Sequence, residues 1–241
     1  MCLTQNDTDC LTEASMKANL QQTHSNAREQ ARFNMVEQQI RPWEVLDPAV
    51  LNTLKQVPRE DFVPVQYAGL AFADLEIPIG YGQSMLSPKM EARIVQSLCL
   101  SKTDTVLEIG TGSGYMTALL AKLANHVVSV ERIAELSETA AMKLAEHDIR
   151  NVTLEVGDGA RDWDAGQYDA IVLTGSVGLL PESFQKQLKP GGRLFAVVGE
   201  APAMEAMLLT CVSPGVYRRS PLFETCIPPL ANAPRPDRFI F

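Results

Sequence analysis

The chain has 241 residues, 46% of them apolar, which suits one domain with extensions and a full core. Its 29 acidic and 21 basic residues leave a formal net charge of −8, which argues against a nucleic-acid partner, because phosphate binding needs a basic surface. No run approaches the roughly 18 apolar residues of a membrane span, and the start lacks a basic stretch followed by an apolar one, so neither an anchor nor a secretory signal is expected.

Cys2, Cys10, Cys99, Cys211 and Cys226 are odd in number and widely spaced, with no C-x-x-C pair. They suggest neither zinc nor a dithiol, and reduced thiols in a cytoplasmic protein are the plain reading. His24, His126 and His147 are scattered, read as surface or helix-end residues, and complete no Ser-His-Asp set.

Residues 1–28 are polar and lack apolar periodicity, and they read as a disordered extension. A helical segment carrying the substrate loop is expected over 29–100. Phe33, Val36, Gln39 and Ile40 have helical spacing, with an end before Pro42. Asp47 caps a second helix with Pro48 in its first turn, and Val50, Leu51, Leu54 and Val57 form the apolar face. Residues 59–83 read as turn-rich. Pro88–Leu100 forms a third helix with Met90, Ile94, Val95 and Leu98 inward.

From residue 101 to 227 the pattern alternates. Strands are expected at Thr105–Ile109, Val127–Val130, Val152–Val156, Ala170–Leu173 and Arg193–Val198. Helices are expected at Tyr115–Leu123, Ile133–His147 and Leu180–Leu188, and two edge strands within Leu208–Ile227. This is the signature of an α/β, Rossmann-like, doubly wound, mostly parallel sheet. The proline-rich tail 228–241 is expected to run over the surface.

VLEIGTGSGY, Val106–Tyr115, carries the strongest signal. A buried strand ends at Glu108, and a turn follows at Gly110, Gly112 and Gly114. Glycines there permit positive φ and let a ligand approach the backbone. Dinucleotide folds need G-x-G-x-x-G to face a pyrophosphate. Here the spacing is G-x-G-x-G behind an acid, which suits a cationic cofactor without phosphates, S-adenosylmethionine. Glu131 ends the next strand, where an acid can accept from both ribose hydroxyls. Asp158, between Gly157 and Gly159, can accept from an adenine amino group. The candidate cofactor set is Glu108, Gly110, Thr111, Gly112, Ser113, Gly114, Glu131, Arg132, Asp158 and Gly159, with no metal. Asp169 reads as structural.

These motifs, with those before them, resemble the protein-L-isoaspartate O-methyltransferase family over roughly residues 33–227. The likeness includes Met35–Ile40, the PREDFVP run from Pro58, Ala73-Asp74, Ile77–Gly80, Gly82-Gln83, Ser129–Arg132, Gly157–Gly159, Gln187–Gly192 and Val198-Gly199. It implies a seven-stranded sheet with a reversed last strand. It also implies methyl transfer to the carboxylate of isoaspartyl residues in damaged proteins or peptides, with no membrane partner. One departure stands out. The family's loop reads Gly-Gln-Thr-Ile-Ser, but here Gly82-Gln83-Ser84-Met85-Leu86 places leucine at the loop serine, with Ser87 following. The resemblance makes Gln83 and Ser84 candidates to orient the acceptor, with Ser87 as a substitute hydroxyl or merely a helix cap. A different acceptor, small molecule or RNA base, or a cofactor-binding module without turnover, is the alternative that Leu86 leaves open.

Overall fold

The computed structural model describes residues 26–163 and 166–236. Most of the expected N-terminal extension, residues 1–25, lies outside them, as do the last five residues of the tail. Among the described residues no helix is long and apolar enough to cross a membrane.

Helical residues 26–34 (α1) run without a break into a wider π turn, Met35–Ile40, and a tight 3-10 turn, Arg41–Trp43. The helical path therefore does not stop before Pro42, as the sequence suggests. Proline in the first turn of a new helical segment removes a donor that had no partner to find, and the path ends at Glu44, whose φ is 63°. The change of winding shifts the inward face. Met35, Val36 and Ile40 are buried, whereas Phe33 is 50% exposed with the Lys55 ammonium over its ring.

Helix α2 (Pro48–Gln56) begins as its sequence specifies: Asp47 accepts from Ala49 and Val50, and Pro48 takes the first position. Residues 59–87 are more ordered than turn-rich. They form α3 (Arg59–Phe62), a 3-10 turn (Val65–Leu70) and a hairpin of β1 (Ile77–Gly80) and β2 (Gln83–Met85) with Ile77 opposite Met85. Helix α4 (Pro88–Leu98) follows, with Met90, Ile94, Val95 and Leu98 buried as its periodicity requires.

The remainder is a seven-stranded sheet in the order β5–β4–β3–β6–β7–β8–β9. Its strands are β3 (Thr105–Ile109), β4 (His126–Glu131), β5 (Val152–Val156), β6 (Tyr168–Leu173), β7 (Leu188–Glu200), β8 (Ala203–Ser213) and β9 (Val216–Thr225). Helices α5 (Tyr115–Leu123), α6 (Ala134–Glu146) and α7 (Glu182–Lys186) connect them. Strands β3 to β7 pair in parallel, and β8 is antiparallel to both its neighbours. The reversed strand is thus the next to last, and β9 turns back into line with β7. The predicted helix Leu180–Leu188 shrinks because Leu188 already belongs to β7, pairing with Tyr168.

Winding proceeds one way from β3 to β5 and the other way from β6 onward, so a crevice opens between the ends of β3 and β6. Apolar residues cover both faces. Val106, Val127, Ala170 and Val172 pack under the N-terminal helices and α5, and Leu107, Ile109, Val130 and Ile171 pack on the other side with Phe184 of α7.

Candidate active site

A cleft opens at the carboxyl ends of β3, β4, β5 and β6. The glycine turn forms its floor. Gly110, Gly112 and Gly114 have φ of 102°, 53° and 83°, values that cost a side chain dearly. At Gly110 a Cβ would also overlap Thr174 Oγ1. The Thr174 hydroxyl donates to the carbonyls of Ile109 (2.9 Å) and Gly110 (2.8 Å), tying the end of β6 to the turn across the crevice.

Glu131 and Asp158 both line the cleft. Glu131 accepts from the Gly112 amide (2.9 Å) and the Ile133 amide (3.0 Å), so its carboxylate holds the glycine turn against the end of β4. Asp158 accepts from its own loop at Ala160 and from Asn232 of the C-terminal segment (2.7 Å). Arg132, Gly110, Gly112 and Gly159 line the same space. Thr111 and Ser113 line a smaller adjoining cavity instead, and Gly114 lines neither but caps α5.

Glu108 is placed elsewhere. Side chains alternate along a strand, and Glu108 shares the face of Val106, beneath α5, while Ile109 faces the cleft. Its carboxyl is fully buried, accepting from Thr117 (2.5 Å) and Ser129 (2.6 Å). Burial drives its pKa up to about 8, against the two hydroxyl hydrogen bonds, so it keeps its proton at neutral pH. It ties α5 to β4 beneath the sheet's helical cover and does not line the cleft. Two carboxylates, not three, meet in the cleft.

On the side of the hairpin, Gln83 and Ser84 of β2 and Leu86 line the cleft, and Ile79 of β1 packs beside Gly112. Ser87 lines neither cavity. It sits at the N-cap of α4 without a side-chain capping bond, so it does not replace the hydroxyl missing at position 86. Sequence reasoning also missed the tail. Pro228–Ala231 line the cleft, and Ser176, in the segment after β6, donates its amide to the Pro228 carbonyl and accepts from the Leu230 amide. Only the Pro-Pro-Leu run after the last strand hinted at a fixed path. Asp169 lies at the opposite end of β6, bonded to Lys189 and the Thr105 amide.

The model of the family described as protein-L-isoaspartate(D-aspartate) O-methyltransferase matches residues 30–213. The chain belongs to that family. It is a methyltransferase. A protein-L-isoaspartate O-methyltransferase of Rhodopseudomonas palustris is 43% identical over 83% of this chain and 92% of its own. Another from Protochlamydia amoebophila is 42% identical over 73% and 83%. A Plasmodium falciparum chain described as a protein-L-isoaspartate O-methyltransferase, crystallised with S-adenosyl-L-homocysteine, superposes with a TM-score of 0.69. It is 20% identical, over 84% of this chain and 97% of that one. The family match ends before the tail residues that wall the methyltransferase cleft.

Proposed function

We propose that the protein uses S-adenosylmethionine to esterify the carboxylate of isoaspartyl residues in damaged polypeptides. The observation that carries this reading is the continuity of the cleft. One wall presents Glu131 and Asp158 above a glycine floor, and the other presents Gln83 and Ser84 of the family's acceptor loop. The residues fit a cationic nucleoside: Glu131 stands at the ribose position, Asp158 at the adenine edge, and Gly110 and Gly112 leave room for close approach.

Bound there, S-adenosylmethionine supplies an electrophilic methyl group on a sulfonium. An acceptor carboxylate is already ionised near neutral pH, because its ordinary pKa is about 4, so no general base is needed. The protein's task is to orient it. Ser84 and Gln83 offer donors from β2, and the apolar flanks of Ile79 and Leu86 exclude water from the line of attack. Product esters return to the chain through a succinimide, which is what makes carboxyl methylation a repair step.

The test is transfer of labelled methyl to an isoaspartyl peptide and to its aspartyl counterpart. Preferential turnover of the first is expected, and equal or absent turnover of both rejects the reading. Leu86 favours one second reading, a different acceptor on the same scaffold. Activity on isoaspartyl peptide that appears only in Leu86→Ser would select it.

A further inference from the structure

Behind the acceptor loop lies a buried ion pair that the mechanism above does not use. Arg59, the first residue of α3, is 0% exposed, and Glu91 of α4 is 2% exposed. The Arg59 guanidinium is bonded to Glu91 Oε2. Its Nε donates to the Ala71 carbonyl (2.9 Å), and its Nη2 donates to the Leu86 carbonyl (2.6 Å). Its plane lies 4.9 Å from the ring centroid of Tyr115, the first residue after the glycine turn. Glu91 itself lines the smaller cavity, with Ser84 and Leu86 on one side and Thr111 and Ser113 on the other.

One side chain thus touches four partners: the Ala71 carbonyl, the acceptor loop, α4, and the helix that starts at the glycine turn. Arginine's forked donors allow this, and a point-charge lysine could not serve the same carbonyls together. A hydrophobic pair would fill the space as well or better, since burying two charges costs desolvation that their attraction repays only with good geometry. Core filling therefore does not explain the choice of residues. The contact to the Leu86 carbonyl does. That carbonyl belongs to the very position where the loop lacks a hydroxyl, so the loop's donors toward an acceptor are Gln83, Ser84 and the backbone, and their direction depends on where the backbone is pinned.

The geometry points to Arg59, held by Glu91, as a positioning residue that fixes the acceptor loop relative to the glycine turn. This inference rests on the acceptor assignment above for its kinetic readout only. The experiment compares the wild type, Arg59→Lys and the double variant Arg59→Met/Glu91→Met. Kd for S-adenosylmethionine is measured by calorimetry, Tm by circular dichroism, and kcat/KM on an isoaspartyl peptide. The double variant is expected to keep its Tm and to bind cofactor within about twofold, yet to lose about tenfold or more in kcat/KM, the scale set by misplacing reacting groups. Recovery of kcat/KM together with Tm in the double variant would mean that the pair only fills space, and would overturn the inference. If the double variant does not fold, Arg59→Lys decides. It keeps the buried cation but not the fork, and unchanged kcat/KM would overturn the inference equally.

Amide hydrogen exchange separates this outcome from failure of the acceptor assignment. In cofactor-bound Arg59→Lys, amides of residues 84–87 are expected to exchange faster while those of 110–114 stay protected. That result is readable even if wild type proves inactive on isoaspartyl peptide, and unchanged exchange at 84–87 counts against the positioning role.

Discussion

The two walls of the cleft are built by different means. The nucleoside wall comes from the ends of parallel strands, where sheet direction and alternation determine which side chain emerges. Glu131 follows from the end of β4, and Asp158 from the turn after β5. The wall proposed to face the acceptor is a hairpin of two short strands, pinned from behind by Arg59 and Glu91 and continued by Leu86. The first wall is fixed by the core of the domain. The second depends on a few specific contacts, and its chemistry can change without disturbing the fold.

The largest expected effect tests the first wall. Glu131→Ala removes the acceptor for the Gly112 and Ile133 amides and the candidate ribose acceptor. Hydrogen bonds to a charged group contribute about 1.5–3 kcal/mol each, so Kd for S-adenosylmethionine should rise about 100-fold by calorimetry. A change under threefold would break the comparison, because the nucleoside wall would then not depend on its strand-end acid.

The next effect is a pH dependence of stability at Glu108. Its folded pKa is raised to about 8 by burial, against its Thr117 and Ser129 hydrogen bonds, with Glu131 and Glu91 pushing it further up. An unfolded glutamate titrates near pH 4.3. Between those values the unfolded state has lost the proton that the folded state keeps, so stability at this site is full below the unfolded pKa and falls as pH rises toward 8. Glu108→Gln cannot ionise. Chemical denaturation should show the variant gaining on wild type by about 1 kcal/mol per pH unit between pH 6 and 8. A gap that stays constant with pH would show Glu108 to be ionised in the folded protein.

How far each wall could be read from the sequence follows from the same contrast. Strands β3 and β5 and helix α5 coincide with their predicted limits, because β-branched runs and a glycine turn leave few alternatives. The acids at Glu131 and Asp158 were legible as strand-end groups. Glu108 was not placed correctly, because its position near a strand tip hides its parity: the face it shares with Val106 is the one α5 covers. The hairpin β1–β2 escaped because four residues with a central proline, and three more, show too little alternation to register. Arg59 and Glu91 are 32 positions apart, and nothing in either segment announces that they meet. The tail does run over the surface, as its composition suggests, with residues 228–236 exposed or half-buried. Composition does not show its fixed path: Ser176 pairs with Pro229 and holds the segment beside the cleft.

A third expected effect lies on the acceptor wall. Ser84→Ala removes the one side-chain hydroxyl of β2 that lines the cleft. One lost hydrogen bond to a carboxylate should lower kcat/KM on isoaspartyl peptide about tenfold, with Kd for the cofactor unchanged. If the loss falls on cofactor binding instead, the division of the cleft into two walls is wrong at this residue.

The smallest effect concerns a contact that joins the wall to the chain beyond the family match. Asn232 has φ of 62°, a value asparagine tolerates better than most residues, and its side-chain amide donates to Asp158 Oδ2 at 2.7 Å. Asp158 still has lone pairs to accept from an adenine amino group, so the tail orients the carboxylate rather than competing for it. Asn232→Ala should therefore weaken cofactor binding about fivefold, the scale of one partly exposed hydrogen bond, and leave KM for the peptide in place. Asn232→Asp is the sharper variant. It replaces the donor with a second carboxylate facing Asp158, so its Kd should exceed that of the alanine variant at pH 7 and approach it as the pH falls toward 4. Equal Kd values for the two variants across that range would mean that the tail touches Asp158 without steering it, and that the nucleoside wall is complete where the sheet ends.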